Sequence, residues 1–524
     1  NTLSFNKLSR KRSDLLYDKF LKFLTINLNA IHSEKFQESE WEIFLGHWLK
    51  YFSNNIVNFY YNNQSNKKYY KKSSKILICN DTKEYISLCS DEEWMNQFKD
   101  SINQIKKNKK INIKKINLKK FQEDKVNLFS KSKIIVKNIY FKIFKKIIIK
   151  NKILIYNTYL GKLKDIKLQL KFGQIPIIDL PVNYKKNKIN KKLRDKIIIN
   201  KNYKINNFSK FYELLILNLP KIYLEDYYNL KNFIRKNYPT KTKIIFNSNE
   251  IITDDVFKYW CMCQKKKKSK IFLFEHGLNY GIVNDFYPQS FALEKKYINT
   301  IFTWGNLKNN KKYRPMFTTS NKKFNIQNKE KLILIYNQCI PNYHYTSNDL
   351  NFNNFKINGL YKNLKPNIQK NIIVRLHKTN FFPFNVTKIK KKLILETKNK
   401  NLHIDDGQKK LSKLIKISNL LIFTYPSTGF FEAIFNNIPC MLLWKNFKFE
   451  VDRVSKKNFQ ILKKHGIFYT NEKKLSIEIN KIFDNVDLWW YEKKRQNQIL
   501  KFKNKFILKY TGLNKVFLEL NKNL

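Results

Sequence analysis

Three short stretches carry residues whose types and spacing suit the transfer of a group onto a hydroxyl. The first stretch, Glu275, His276 and Gly277, comes directly after the apolar run IFLF. Tyr280 and Gly281 follow shortly after this stretch. Such a transfer needs a base within hydrogen-bond reach of the hydroxyl, and histidine titrates near neutrality. His276 is therefore the preferred base. Glu275 either orients it, has a structural role, or is itself the base while His276 binds phosphate.

The second stretch, VRLH, places Arg375 and His377 two residues apart. Alternate residues of a strand point to the same side, so the two side chains suit a phosphate or diphosphate held by charge-assisted hydrogen bonds. Further on, HIDDGQ contains Asp405 and Asp406, a carboxylate pair of the kind used in acid–base chemistry or metal binding. Capping of the following helix is the favoured interpretation of Asp406, and we expect no metal.

The third stretch, YPSTGFFEAIF, predicts a strand end followed directly by a helix. Ser427 and Thr428 would then present hydroxyls and free N–H groups at the positive end of the helix dipole, which is a ready phosphate site. Gly429 would let a phosphate approach the backbone, and Glu432 would accept hydrogen bonds from a ribose. The alternative is a simple N-cap in which Glu432 completes a capping interaction.

Glycine is scarce, with only 11 residues in 524 against an average share of about 7%. Gly277, Gly281 and Gly305 nevertheless fall within one short region, and Gly429 lies in the third stretch. These glycines indicate backbone that needs either a positive φ or close approach of another group.

The elements that position these stretches alternate between short apolar runs and helical tracts. This alternation predicts an α/β fold with two Rossmann-like domains of parallel strands, the arrangement called GT-B. In the N-terminal part, Trp41, Phe44, Leu45 and Trp48 share one helical face, and His32 and His47 are interpreted as structural. The predicted divisions are a helical N-terminal extension over 1–135, a first Rossmann-like domain over 136–305, a linker over 306–330, a second Rossmann-like domain over 331–490 and a C-terminal crossing helix over 491–524.

The formal net charge is +63, but the lysines are spread almost evenly and accompany abundant Asn, Ile, Tyr and Phe. Compositional drift is the favoured source of the charge, and attraction to an anionic partner is the alternative. No nucleic-acid-binding motif occurs, so we expect no nucleic-acid partner. Six scattered cysteines favour reduced thiols.

The sequence shows no signal-peptide pattern, and no apolar run reaches the roughly 18 to 20 residues of a membrane span. We therefore expect a cytoplasmic protein that can also associate peripherally with the inner membrane face. Residues 133–156 suggest either a basic amphipathic element on an anionic membrane or, as the favoured interpretation, a strand and a helix with solvated lysines.

The order EHGLNYG, FTWG, VRLH and YPSTGFFEAIFNNIPCMLLW resembles transferases of bacterial surface-polysaccharide loci, and NAIHSEKFQESEWEIFLGHWL resembles their opening segment. The resemblance spans most of the chain. It extends to capsule Kdo transferases and bacterial sialyltransferases of GT-B type, and implies a CMP-activated acidic sugar as donor and a glycan or lipid-linked glycan as acceptor. The acceptor side would be the first domain and the donor side the second. Lys378 departs from this pattern, because those relatives have a proline after the histidine.

A second resemblance implies a different transferred group, so the sequence leaves the identity of that group undecided. Teichoic-acid glycerophosphotransferases also have a His-Gly motif and a Ser-rich helix start, and they transfer polyol phosphate from CDP-glycerol. A third hypothesis is a non-enzymatic protein that binds polyanions through its lysines, with strongly salt-dependent affinity and no turnover.

Overall fold

The computed structural model describes most of the chain. The described residues are 2–61, 75–89, 91–109, 111, 115–119, 128–197, 208–277, 282, 291–306, 311–318, 329–336, 357–376, 386–445 and 447–524. Tyr280, Gly281 and His377 lie outside these ranges, as does Lys378.

The N-terminal layer is built on a helical hairpin that packs on helices of the first lobe. Its elements are α1 (Thr2–His32), α2 (Glu38–Tyr61), β1 (Lys75–Ile78), α3 (Thr82–Leu88), α4 (Glu92–Lys106), β2 (Lys115–Leu118) and α5 (Leu128–Ile148). The four predicted face residues of α2 are completely buried: Trp41, Phe44, Leu45 and Trp48. His32 stacks on Tyr227 with ring centroids 3.8 Å apart, and the buried His47 lies 3.4 Å from Glu294.

The prediction of an entirely helical extension over 1–135 was incomplete. Strands β1 and β2 form a parallel pair there, in register from Lys75 with Lys115 to Ile78 with Leu118. Helix α5 also runs across the predicted boundary at 135. Four-residue strands of this kind are stabilised by the helices that pack on them, so local propensity alone identifies them poorly.

The first lobe is a five-stranded parallel sheet in the order β3-β4-β5-β6-β7. Its strands are β3 (Ile153–Ile155), β4 (Ile244–Asn247), β5 (Lys270–Phe274), β6 (Thr300–Thr303) and β7 (Tyr313–Pro315). Its helices are α6 (Lys162–Lys171), α7 (Lys191–Asp195), α8 (Phe208–Asn218), α9 (Tyr227–Asn237), α10 (Glu250–Thr253), α11 (Asp255–Lys266) and α12 (Phe291–Tyr297), with a 3₁₀ turn at Lys221–Tyr223. Strand β7 falls inside the predicted linker 306–330. It is a polar edge strand, where proline is tolerated.

The second lobe is a six-stranded parallel sheet in the order β10-β9-β8-β11-β12-β13. Its strands are β8 (Lys331–Ile335), β9 (Ile372–Arg375), β10 (His403–Asp405), β11 (Ser418–Phe423), β12 (Cys440–Leu443) and β13 (Phe468–Tyr469). Its helices are α13 (Ile357–Tyr361), α14 (Pro366–Lys370), α15 (Val386–Thr397), α16 (Leu411–Ile415), α17 (Thr428–Phe435), α18 (Phe447–Glu450), α19 (Arg453–Lys464), α20 (Glu472–Ile482) and α21 (Val486–Trp490), with a 3₁₀ turn at Phe483–Asn485. The strand order reverses between β8 and β11, as in doubly wound nucleotide-binding sheets.

The C-terminal segment joins the two lobes. In α22 (Lys493–Phe506), Phe502 packs against Phe459 of the second lobe at a ring distance of 5.4 Å. The chain then crosses to the first lobe, where the Leu508 amide donates to the Trp304 carbonyl at 2.7 Å. Helix α23 (Asn514–Asn521) ends on the first lobe, with Phe517 against Phe172. The predicted GT-B arrangement with a crossing C-terminal helix is confirmed.

Among the helices in the described ranges, none has the length and apolar character that crossing a bilayer requires.

Candidate active site

The reversal of strand order places the carboxyl ends of β8 and β11 next to each other. Thr424, directly after β11, donates both its amide and its hydroxyl to the Ile335 carbonyl at the end of β8, at 3.2 and 3.1 Å. Ligands of open α/β sheets bind in the crevice outside this point, where consecutive connections leave on opposite faces. The loop from Thr424 leads directly into α17.

Helix α17 begins as the sequence predicts. Ser427 is the N-cap, with φ −83° and ψ 162°, and its hydroxyl accepts a hydrogen bond from the Phe430 amide at 3.3 Å. Thr428 is the first helical residue and is partly exposed, and Glu432 lies one turn further on, also partly exposed. The first N–H groups of an α-helix have no carbonyl partner within the helix. Such unpaired N–H groups attract anions.

Gly429 has a packing role that the sequence did not reveal. A Cβ at this position would lie 3.1 Å from Phe423 Cε1 and 3.3 Å from Leu411 Cδ2. The absence of a side chain therefore lets α17 lie close to β11 and α16. Close approach by protein atoms thus accounts for this glycine without a phosphate.

Arg375 projects from the end of β9 and is held by two acceptors. Its Nη1 donates to Asp405 Oδ1 at 3.0 Å and to the Lys409 carbonyl at 2.7 Å. The same Asp405 oxygen also accepts from the Gly407 amide at 3.0 Å. Burial lowers the pKa of Arg375 from its ordinary value, and the neighbouring Asp405 carboxylate opposes that change. Asp405 thus holds the positively charged guanidinium of Arg375 at the end of β9.

Asp406 does not cap a helix, so the favoured interpretation was wrong. The N-cap of α16 is Lys410, and Asp406 instead accepts the Gln408 amide at 3.2 Å to close a local turn. In the described part of the chain, no three His, Cys, Asp or Glu side chains are grouped as metal ligands would be.

Glu275 lies at the end of β5 and ties it to the end of β6. The residue is completely buried, its Oε2 accepts from the Trp304 amide at 3.1 Å, and its carbonyl accepts from the Trp304 indole at 3.0 Å. A carboxylate held inside the lobe in this way cannot reach an acceptor in the cleft. The structure therefore favours the structural interpretation of Glu275 over its use as the base.

His276 follows Glu275 and is partly buried, with its ring centroid 5.5 Å from that of Tyr159. Burial lowers the pKa of His276 from its ordinary value of 6.5 to about 4, because a charged imidazolium would lose hydration. The imidazole is consequently neutral at physiological pH, the form that accepts a proton.

Sequence reasoning missed the loop after β3, which contributes Tyr159. Asn157 and Tyr159 both have positive φ, at 47° and 62°, a strained conformation for residues other than glycine. The Tyr159 hydroxyl accepts from Asn249 Nδ2 at 2.9 Å, and Asn249 Oδ1 is buried and accepts no hydrogen bond from the described part of the protein. The only sequence signal was a polar NTYLG stretch after an apolar run.

The two lobes meet at the predicted site. A Cβ on Gly277 would stand 2.3 Å from Thr428 Oγ1, so the turn after β5 contacts the first residue of α17. His276 directly precedes Gly277 in the chain, and Ser427 directly precedes Thr428. A second link follows nearby, where the Asp452 amide at the start of α19 donates to the Ile282 carbonyl at 2.7 Å. The strand ends of both lobes therefore line one cleft.

Comparison with protein families decides the class of the protein. The family described as LIC12162 family transferase matches residues 2–520, which is nearly the whole chain. The chain belongs to this transferase family. It is therefore an enzyme that transfers a group, and the cleft between its lobes is its candidate active site.

Comparison with curated proteins gave no significant match. Among solved structures, the wall teichoic acid polymerase TagF is 14% identical, with 57% of this chain and 83% of that one covered and a TM-score of 0.33. Anabaena Alr3699/HepE in complex with UDP and glucose is 8% identical, with coverages of 60% and 89% and a TM-score of 0.38. MurG of Acinetobacter baumannii is 10% identical, with coverages of 56% and 78% and a TM-score of 0.30. These scores are low, and the fold assignment rests on the two sheets of the chain itself.

Proposed function

We propose that this transferase moves a sugar from a CMP-activated acidic sugar onto a hydroxyl of a bacterial surface polysaccharide or lipid-linked glycan. One observation carries the proposal. The contact between Gly277 and Thr428 brings a neutral histidine of one lobe next to an anion-attracting helix start of the other. A base for the acceptor and a site for the departing phosphate are the two parts that such a transfer requires.

The donor phosphate binds at the start of α17, where the Ser427 and Thr428 hydroxyls and the free amides surround it. Arg375, held by Asp405, adds a fixed positive charge from the end of β9. These groups stabilise the charge that develops on the phosphate as the sugar C–O bond breaks. His377, Tyr280 and Gly281 lie outside the described residues, and their part in donor binding stays a prediction.

The acceptor hydroxyl approaches from the first lobe. His276 takes its proton while the acceptor oxygen forms a bond to the anomeric carbon, and CMP leaves with the electron pair of the broken bond. Tyr159 and Asn249 lie at the same strand ends, where Asn249 Nδ2 donates to the Tyr159 hydroxyl at 2.9 Å. Contact between the lobes excludes water and limits hydrolysis of the donor.

Nucleotide recognition gives the first test. CMP, CDP, UDP and GDP are each added to the protein, and the melting temperature is measured, since a ligand of the native state raises it. The proposal predicts the largest rise with CMP. A preference for CDP would replace sugar transfer by polyol-phosphate transfer, with a P–O bond broken. Indifference to all four nucleotides would favour a polyanion-binding protein.

Substitution of the base gives the second test. His276→Ala should abolish release of CMP from the donor in the presence of acceptor and leave CMP binding nearly intact. His403→Ala, at an exposed histidine of β10, is the matched control and should change neither. Full turnover in His276→Ala would assign the base to another residue.

A further inference from the structure

Helix α5 carries an apolar face that the protein leaves exposed. Five side chains of this face are each more than half exposed: Ile135 at 57%, Val136 at 65%, Ile139 at 52%, Ile143 at 66% and Ile147 at 51%. At about 100° per residue these positions fall within an arc of about 120°. We call these five residues the isoleucine face.

The opposite side of α5 already packs on the first lobe. Phe141 and Ile148 are buried, and the Tyr140 hydroxyl donates to the Pro176 carbonyl at 2.8 Å. Lys137 on this side pairs with Asp179. The helix is thus fixed in place through one side, and its isoleucine face points away from the lobe. Isolated exposed apolar residues are ordinary, but a contiguous row of five indicates a binding surface.

The charge on α5 indicates what that surface binds. The helix contains six lysines and no acidic residue, and no Asp or Glu occurs between Asp124 and Asp165. Lys142 and Lys146 are exposed; at about 100° per residue, Lys142 lies just outside one edge of the isoleucine face and Lys146 just inside that edge. Apolar side chains bordered by lysines match a bilayer with anionic headgroups, whereas a second copy would bring like charges together.

The position of α5 relates it to the cleft. Asp179 pairs with Lys137 of α5 and also accepts the Tyr156 hydroxyl at 2.8 Å, immediately after β3. The chain continues from Tyr156 to Tyr159, whose ring faces His276. The helix therefore lies beside the strand-end edge of the first lobe, from which the acceptor is proposed to approach.

We propose that α5 seats this transferase on an anionic lipid bilayer. The isoleucine face enters the boundary between headgroups and acyl chains, and the lysines lie against lipid phosphates. Seating of this kind brings the cleft to a lipid-linked acceptor, a consequence that rests on the proposed function. The docking itself is independent of which donor is used.

Vesicle binding tests the proposal with the full chain. Flotation is measured with vesicles of equal parts phosphatidylglycerol and phosphatidylcholine, and with vesicles of phosphatidylcholine alone. We expect binding to the first, weaker binding to the second, and a decrease as salt is raised. Ile139→Ser with Ile143→Ser should lower the affinity for the anionic vesicles about 100-fold, because two inserted side chains are lost.

A matched double variant controls for the loss of exposed apolar side chains elsewhere. Leu395 and Leu488 are each 77% exposed on other helices, so Leu395→Ser with Leu488→Ser should bind vesicles like the unchanged protein. Melting temperatures of both double variants should stay near that of the parent, since all four positions face solvent. The nucleotide-induced melting shift should also persist, which separates failure of docking from failure of the proposed function.

Three results would overturn the proposal. The first is unchanged binding in the α5 double variant, and the second is equal binding to vesicles with and without phosphatidylglycerol. The third is a dimer of the parent protein, seen by sedimentation, that the α5 double variant loses, because the face would then join two copies.

Discussion

Gly277→Ala tests the contact between the lobes most sharply. The new Cβ would lie 2.3 Å from Thr428 Oγ1, well inside any van der Waals contact, but 3.5 Å from Thr428 Cβ, which is an ordinary distance. The clash therefore involves one atom. Overpacking of this kind costs about 1–3 kcal/mol.

The protein can relieve the clash either by rotating Thr428 or by separating the lobes. Separation would weaken a ligand that bridges them, and 1–3 kcal/mol corresponds to about a 5- to 150-fold loss of nucleotide affinity. In the absence of ligand, the same strain lowers the melting temperature by roughly 2–12 °C, at about 2–4 °C per kcal/mol for a lobe of 150–250 residues.

A double-mutant cycle separates this clash from any other effect of the substitution. Thr428→Ala removes Oγ1 and should itself be nearly neutral for stability, because Ser427 provides the N-cap. Calorimetric melting is measured for the parent, both single variants and the double variant Gly277→Ala with Thr428→Ala. The double variant should recover most of the lost stability, which gives a coupling of about 1–3 kcal/mol. A Gly277→Ala defect that Thr428→Ala fails to rescue would refute the contact.

Three further predictions concern the C-terminal crossing, the donor charge and the base. Gly305→Ala should destabilise the protein by more than about 3 kcal/mol in thermal melting, because its Cβ would lie 2.4 Å from the Phe506 backbone carbon. Gly359→Ala, whose Cβ would lie 3.6 Å from Glu472 Cβ, should be almost neutral, and equal effects of the two substitutions would contradict the packing described. Arg375→Gln should weaken CMP binding, measured by calorimetric titration, by about tenfold or more because a charged hydrogen bond is lost, and unchanged affinity would remove Arg375 from the donor site. The rate constant kcat/KM should stay flat as pH falls from 7 towards about 5, because the pKa of His276 is lowered to about 4 and the base remains unprotonated. A decline of kcat/KM centred near pH 6.5 would show a solvated histidine or a different base.

The strands of both sheets are largely predictable from sequence. Runs such as IFLF and LILIY are buried in the parallel sheets, and strands covered on both faces by helices need continuous apolar residues. The start of α17 is equally predictable, because Ser427 has the local geometry that an N-cap demands. Strand β7 escaped prediction since it is short, polar and at an edge, where pairing with β6 decides its conformation.

The side-chain partners within the site depend on tertiary contacts and were harder to predict. Glu275 stands next to His276 in the chain, yet its carboxylate binds Trp304, which lies 29 residues away. The scarcity of glycine did mark positions of close approach. In the structure, however, Gly277, Gly305 and Gly429 accommodate protein atoms, and none of them has a positive φ. The scarcity of glycine identifies positions of close approach, but only the fold shows which atoms approach them.

The proposed function requires that a nucleotide phosphate binds at the start of α17 in the cleft between the lobes. The most direct measurement is calorimetric titration of CMP into the parent protein and into the double variant Ser427→Ala with Thr428→Ala. Asn471→Ala, which removes the N-cap of α20 in the same lobe, controls for the loss of a cap. We predict that the double variant loses CMP affinity by about tenfold or more and that Asn471→Ala retains it. Equal CMP affinity in all three proteins, or no binding by the parent, would rule out a CMP phosphate site at the start of α17.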